Sequence, residues 1–255
     1  MKIITYNING IRSAIQKGLI DWIEDHNYDV ICLQETKAHS GSVPVLLLES
    51  IGYQHCWHSA KRKGYSGVAT FSKIKPCHVE RGMGLDKYDV EGRILRTDFG
   101  NLTIINCYVP NGSASQIRHR FKLEFLEEFT HWIEEIRREQ PRIIVAGDLN
   151  IARSPLDVPE HLIEANVSGF RSDERQWLES RLEQNFVDSF RLQNPNSRSH
   201  TWWPPTNPAR TDRGAWRIDY QLVSKPLQSS IQNVSHLKST FYSDHCPVLL
   251  EIENN

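Results

Sequence analysis

Short apolar runs recur along the whole chain, and between several of them lie helical stripes. Residues 2–8, 29–34, 67–72, 94–99, 102–109, 142–147, 218–223 and 247–252 are rich in Ile, Val and Leu, and turn residues bound most of them. Such runs read as strands buried on at least one face. Residues 116–138 carry Ile117, Phe121, Phe125, Phe129, Trp132, Ile133 and Ile136 on one stripe, the mark of an amphipathic helix. Further stripes run over 11–25 (Ile15, Leu19, Trp22, Ile23) and 173–184 (Trp177, Leu178, Leu182). Strands and helices mix throughout, which predicts sheets covered by helices in one domain, residues 1–255.

A chain of 255 residues buries enough surface to fold without a metal or disulfide. Its 39% hydrophobic and 24% charged residues exclude a disordered or fibrous protein. The net charge of -1 excludes a uniformly basic coat but not a local basic patch, and patches steer anionic partners. The five cysteines are odd in number, widely spaced and without a CxxC pair, which argues against a disulfide framework or zinc knuckle and predicts a reducing, cytoplasmic setting. The opening MKIITYNING has no apolar segment of the signal-peptide kind. No apolar run approaches the ~18 residues that span a membrane. Two long stretches without clear periodicity, 152–172 and 194–216, are candidates for functional loops.

Polar residues gather at the ends of the apolar runs. Asp148 and Asn150 stand two apart, as do Asn7 and Asn9; on a strand each pair faces one side. The segments around them echo each other faintly, Ile3-Ile4 leading to Asn7-Ile8-Asn9 and Ile143-Ile144 to Asp148-Leu149-Asn150. Glu35 ends a strand, Asp244 and His245 precede one, and Asp219 lies inside WRIDYQLV. A half-buried carboxylate such as Asp219 needs a partner. Carboxylates, carboxamides and a histidine at strand ends suit a hard, oxygen-preferring cation such as Mg²⁺. Any one of these features alone is more often a turn cap or a satisfied core group. There is no GxGxxG, P-loop or GxSxG motif, and Cys107, inside a strand without an evident base, is not a nucleophile candidate.

Together the segments TYNINGIRS, LQETK, GYSGVATFS, EGRILR, YVPNG, GDLNIA, SGFRSDER, WRIDYQLVS and SDHCPV, in this order and nearly end to end, resemble the exonuclease III / AP endonuclease family of the DNase I-like endonuclease–exonuclease–phosphatase superfamily. The resemblance implies a four-layer α/β sandwich, with two mostly antiparallel sheets face to face and helices outside. It implies Mg²⁺, or Mn²⁺, held by Glu35 with Asp244, Asn7, Asp148, Asn150 and His245 nearby. Asp148 would activate or orient the attacking water, Asn150 would hold that water or a phosphate oxygen, and Tyr108 would donate to the phosphate. His245 would bind the phosphate, oriented by Asp219. Arg12, Lys17, Lys37, Tyr65, Asn111, Trp216 and Arg217 would contact double-stranded DNA, with Trp216 beside a pocket for an abasic sugar. The implied reaction is phosphodiester hydrolysis 5′ to an abasic site, leaving a 3′-hydroxyl, with trimming at 3′ ends, by a monomeric bacterial-type enzyme.

The sequence departs from the family in three loops. Where some relatives carry an inserting Arg, a Met wedge and an Asn, this chain has Gly112-Ser113-Ala114-Ser115, Pro204-Pro205-Thr206 and Val167. These departures bear on the grip on a bent duplex, not on the chemistry. Two alternatives are a superfamily phosphoesterase for a non-DNA substrate and a catalytically inactive nucleic-acid-binding module. Neither accounts for WRIDY and LQETK together with an intact catalytic set.

Overall fold

The computed structural model describes residues 1–253, without the side chains of Leu182 and Glu183; Leu182 of the expected helical stripe thus lies outside the described residues. The strands are β1 (Lys2–Asn7), β2 (Val30–Gln34), β3 (Gln54–His58), β4 (Val68–Ser72), β5 (His78–Arg81), β6 (Ile94–Phe99), β7 (Leu102–Tyr108), β8 (Ile143–Asp148), β9 (Phe186–Asp188), β10 (Asp219–Ser224), β11 (Ile231–His236) and β12 (Val248–Ile252). The helices are α1 (Ile11–Gln16), α2 (Leu19–His26), α3 (Val45–Ser50), α4 (Asp86–Asp89), α5 (Gln116–Glu139), α6 (Ser172–Gln184) and α7 (Ser189–Gln193).

Two six-stranded sheets form, in the orders β11-β12-β1-β2-β4-β3 and β5-β6-β7-β8-β10-β9. Both are mixed, since β1–β2 and β7–β8 pair in parallel and the remaining pairs are antiparallel. Ile3, Val30, Cys32, Val248 and Leu250 of the first sheet pack on Ile104, Ile144, Ala146 and Val223 of the second. The outer face of the first sheet is covered by α1–α3 through Ile11, Leu19, Trp22 and Leu48. That of the second is covered by α5 and α6 through Phe125, Phe129, Trp132, Ile133 and Leu178. This is the expected four-layer sandwich. Each aromatic of α5 withdrawn from water contributes at most ~3 kcal/mol, so the stripe as a group, not one residue, seats the helix.

Two details of the expected helices change. The helix over 11–25 divides at Gly18, whose φ of +97° ends one segment and starts the next. Ile117, read as part of the α5 stripe, is 83% exposed. It lies in the first turn, one residue into the helix, beside the Ser115 hydroxyl that caps the Arg118 N–H at 3.1 Å.

Buried carboxamides tie the two sheets together. Gln34 donates to Thr5 at 2.9 Å and to Asn106 at 2.8 Å, and Asn106 donates to the Ala69 carbonyl at 2.8 Å. Gln221 donates to the Ile3 and Val248 carbonyls at 3.0 and 3.1 Å. Polar groups in such a place must be paired, so this lattice fixes how one sheet is registered over the other. It also fixes which strand ends meet at the edge where the polar residues collect.

Candidate active site

The echo between the two halves has a structural counterpart. β1 and β8 each lie between one parallel and one antiparallel neighbour, in different sheets. Each ends in the same turn: the Asn7 side-chain oxygen accepts the Asn9 N–H at 3.1 Å, and Asp148 accepts the Asn150 N–H at 2.8 Å. Asn9 and Asn150 have φ of +48° and +51°, a left-handed conformation that Asn tolerates. Asn150 therefore sits beyond the strand, placed by this turn rather than by strand alternation. The two ends meet directly, because the Asn7 amide donates to Asp148 Oδ2 at 2.9 Å and to Glu35 Oε1 at 2.9 Å. Gly147 lets β8 lie close against β7 just before this end. A Cβ there would stand 1.8 Å from the Cys107 carbonyl oxygen.

Around this junction lies a cavity of about 320 Å³ lined by Glu35, Tyr108, Asn111, Asp148, Asn150, Trp202, Trp216, Asp244 and His245, among others. Glu35 Oε1 also accepts the Tyr108 hydroxyl at 2.8 Å, and its Oε2 pairs with Lys37 Nζ at 2.9 Å. Burial opposes the Glu35 charge, but bonds from Asn7, Lys37 and Tyr108 outweigh it and hold the carboxyl below its usual range. Burial and the Glu35 charge raise the Tyr108 phenol, so it stays a protonated donor. Asp244 accepts Asn9 at 2.9 Å and the Trp202 indole N–H at 3.0 Å. Burial works against its charge too, yet His245, Trp202 and Asn9 keep it ionised.

His245 Nδ1 bonds Asp219 at 2.9 Å, and its Nε2 stands 4.0 Å from Asp148 Oδ2. Asp219 is fixed from behind by the Thr201 hydroxyl at 2.6 Å, which in turn accepts the Ile218 N–H at 3.1 Å. Burial disfavours the imidazolium, but Asp219, Asp148 and Asp244 outweigh that and raise His245 to about 10. Asp148 is pushed above the usual carboxylate range, first by burial and then by the charge of Asp219. The pair thus offers a cationic phosphate binder beside an unusually basic carboxylate.

The expected residues fare differently. Tyr108, Asp148, Asn150, Asp219, His245, Glu35 and Asp244 come together at one cavity. Asn7 is fully buried, its oxygen accepts the Asn9 N–H, and its amide braces Glu35 against Asp148. His245 Nδ1 is bonded to Asp219, and its Nε2 faces Asp148. Arg217 is the clear correction. It is 0% exposed and paired with Asp157 (2.7 Å) and Asp188 (2.7 Å), so it staples loops together and cannot reach DNA. Arg12 and Lys17 are exposed, with Lys17 Nζ 3.4 Å from the Tyr242 carbonyl. Asn111 donates to Asn150 at 3.0 Å. Tyr65 belongs to a neighbouring groove, its hydroxyl accepting Arg93 and Arg118 at 3.0 Å each. Trp216 is half-buried and walls the cavity.

Other contributors carried no signal in the sequence. Arg210 is one: it donates to the carbonyls of Lys238, Thr240, Ser243 and His245 (2.6–2.8 Å), fixing the loop that presents Asp244 and His245. Nothing in a lone loop arginine marks it for that task.

The carboxylates of Glu35, Asp148 and Asp244 and the carboxamide of Asn150 are among the residues lining the cavity. A cationic group, Lys37 Nζ, already lies against both Glu35 Oε2 and Asn9 Oδ1. Such a set fits a hard divalent cation. A tighter trio, Asp148, Asp219 and His245, has ligand atoms within 4.8 Å of one another, but the Asp219–His245 bond makes it an orienting pair rather than a coordination shell.

The endonuclease/exonuclease/phosphatase family matches residues 4–245. An exodeoxyribonuclease of Bacillus subtilis (strain 168) is 36% identical over 254 residues, covering 99% of each chain. A DNA-(apurinic or apyrimidinic site) endonuclease of Dictyostelium discoideum is 34% identical over 100% of this chain and 71% of its own. The structure of an AP endonuclease from Archaeoglobus fulgidus superposes with a TM-score of 0.89 at 29% identity, with both chains fully covered. With its paired sheets, its strand-end carboxylates and these relatives, the chain belongs to the endonuclease/exonuclease/phosphatase family, in the exonuclease III / AP endonuclease branch.

Proposed function

We propose that this protein is a DNA repair nuclease that hydrolyses the phosphodiester 5′ to abasic sites and trims 3′ ends, with Mg²⁺ or Mn²⁺ as cofactor. The observation that carries the reading is one cavity in which Asp148, Asn150 and the His245–Asp219 pair share a wall with the ring of Trp216. The first three suit a phosphodiester and a water. The ring suits a sugar without a base. The reading takes residues 1–255 as one catalytic domain acting as a monomer in the cytoplasm. No helix among the described residues is long and apolar enough to cross a membrane.

In this reading Asp148 takes the proton from a water held by Asn150. That water forms a new P–O bond as the bond to the 3′ oxygen breaks, and the oxygen takes a proton from solvent to leave as a 3′-hydroxyl. The His245 imidazolium and the Tyr108 hydroxyl, both preorganised by carboxylates, bind the phosphoryl oxygens on which charge grows. Glu35 and Asp244, with the oxygens of Asp148 and Asn150, would hold the cation, which supplies charge neutralisation at phosphorus. In this reading Lys37, Asn111, Lys17 and Arg12 position the backbone without reading sequence.

The test uses a labelled duplex with one abasic site and an intact duplex with a recessed 3′ end, each with Mg²⁺ or EDTA. A cation-dependent cut 5′ to the abasic site is expected, with slower shortening from the 3′ end. No cut of either duplex by folded protein would overturn the reading.

A further inference from the structure

Behind the cavity lies a buried ion pair that the chemistry above does not use. Lys122 of α5 and Glu174 of α6 are both 0% exposed and paired at 2.5 Å. Lys122 also donates to the backbone carbonyl of Asn150 at 2.8 Å. Glu174, through its other oxygen, accepts the N–H of Gly169 at 2.7 Å and of Arg171 at 3.0 Å. The two segments it grips are laced to each other, since the Ala152 N–H donates to the Gly169 carbonyl at 2.7 Å. Gly169 has φ of +89°, and a Cβ there would stand 3.2 Å from the Trp216 ring and 3.3 Å from the Asn150 carbonyl oxygen.

We propose that Lys122 and Glu174 form a positioning pair that locks the Asn150 peptide to the Gly169 turn, setting the water site and the Trp216 wall in one fixed register. The pair is poorly explained by stability alone, because well-packed apolar residues are often at least as stable as a buried ion pair. What they could not supply is a cationic hold on one specific carbonyl and an anionic hold on two specific N–H groups. The Asn150 carbonyl needs such a hold. Its residue sits in a left-handed turn, φ +51°, held at its N–H by Asp148 and at its carbonyl by Lys122. A displacement of about 1 Å at a reacting group can cost ~10²-fold in rate. The kinetic part of the inference rests on the nuclease reading; the positioning part does not.

The test is the double variant Lys122→Met/Glu174→Gln, with Glu174→Gln alone as a second, milder change. Melting temperature, residue-resolved amide hydrogen exchange at Gly169, single-turnover cleavage of the abasic duplex and its Kd are measured for each. We expect exchange at Gly169 to accelerate at least tenfold and cleavage to slow at least tenfold in the double variant, with Kd within threefold of wild type. Glu174→Gln should move both readouts in the same direction by a smaller factor, and it decides the case if the double variant does not fold. A folded variant with unchanged Gly169 exchange would overturn the positioning role whatever the activity. Faster exchange with cleavage within twofold of wild type would overturn its link to the reaction. Failure of wild-type protein to cut abasic DNA would count against the nuclease reading and leave the exchange result to decide the positioning role.

Discussion

Arg217 invites the sharpest perturbation, because sequence resemblance assigns it to DNA and the structure assigns it to the interior. Its guanidinium makes bonds of 2.7 and 3.3 Å to Asp157 and of 3.1 and 2.7 Å to Asp188. Arg217→Met keeps most of the volume and removes the charge shared by two buried carboxylates. Stripping one partner from a buried pair generally costs ~3–5 kcal/mol. Here the remaining partners soften the loss. Asp157 keeps Arg191 at 2.5 Å and the Ser154 hydroxyl at 2.8 Å, and Asp188 keeps the Arg191 N–H at 3.2 Å. The low end, about 3 kcal/mol, is therefore expected. At ~2–4 °C per kcal/mol for a chain of this size, Tm falls by roughly 6–12 °C. Thermal melting and the salt dependence of DNA binding, measured below the melting range, separate the two assignments. A lost phosphate contact would lower the salt slope by about one at unchanged Tm, and that result would refute the structural assignment.

The same network makes an acid-stability prediction. Burial alone would raise the Asp157 carboxyl, but Arg217 and Arg191 hold it below the usual range. Its stabilising contribution is complete above the unfolded pKa of ~3.9 and is lost as pH falls through the lower folded value. Wild type should thus lose more urea stability between pH 6 and pH 3 than Arg217→Met does, and equal losses would contradict the pairing. Asp148→Asn should lower abasic cleavage well over tenfold while Kd for the duplex stays within a few fold; cleavage retained above a tenth of wild type would remove Asp148 from its role. Trp216→Ala should reduce abasic incision about tenfold more than 3′ trimming, measured on the two duplexes side by side, whereas equal loss of both would make Trp216 a wall without selectivity.

The strands legible in the sequence are those of the sheet interiors. β3, β5, β9 and β11 escaped notice, and each is the edge of a sheet. Their sequences, QHCWH, HVER, FVD and IQNVSH, are polar or very short, as edges that avoid pairing with other chains must be. The chemistry was legible because strand-end carboxylates stand out against apolar runs. The coordination between distant segments was not. No spacing reveals that Asn7 will brace Glu35 against Asp148, or that Lys122 will reach the Asn150 carbonyl. Arg217 misleads for the opposite reason: it sits between two site residues in sequence, Trp216 and Asp219, but it precedes β10, and its side chain turns inward to Asp157 and Asp188.

In the proposed reaction, water activated at Asp148 attacks phosphorus on the 5′ side of an abasic sugar. Incision of a duplex carrying a natural abasic site in ¹⁸O-labelled water, with both product fragments weighed by mass spectrometry, tests it most directly. One ¹⁸O atom is expected in the 5′-phosphate of the abasic fragment and an unlabelled 3′-hydroxyl on the other. A cut 3′ to the abasic site that leaves an unsaturated sugar and no ¹⁸O at phosphorus would contradict it, because the strand would then have been broken by elimination and not by water.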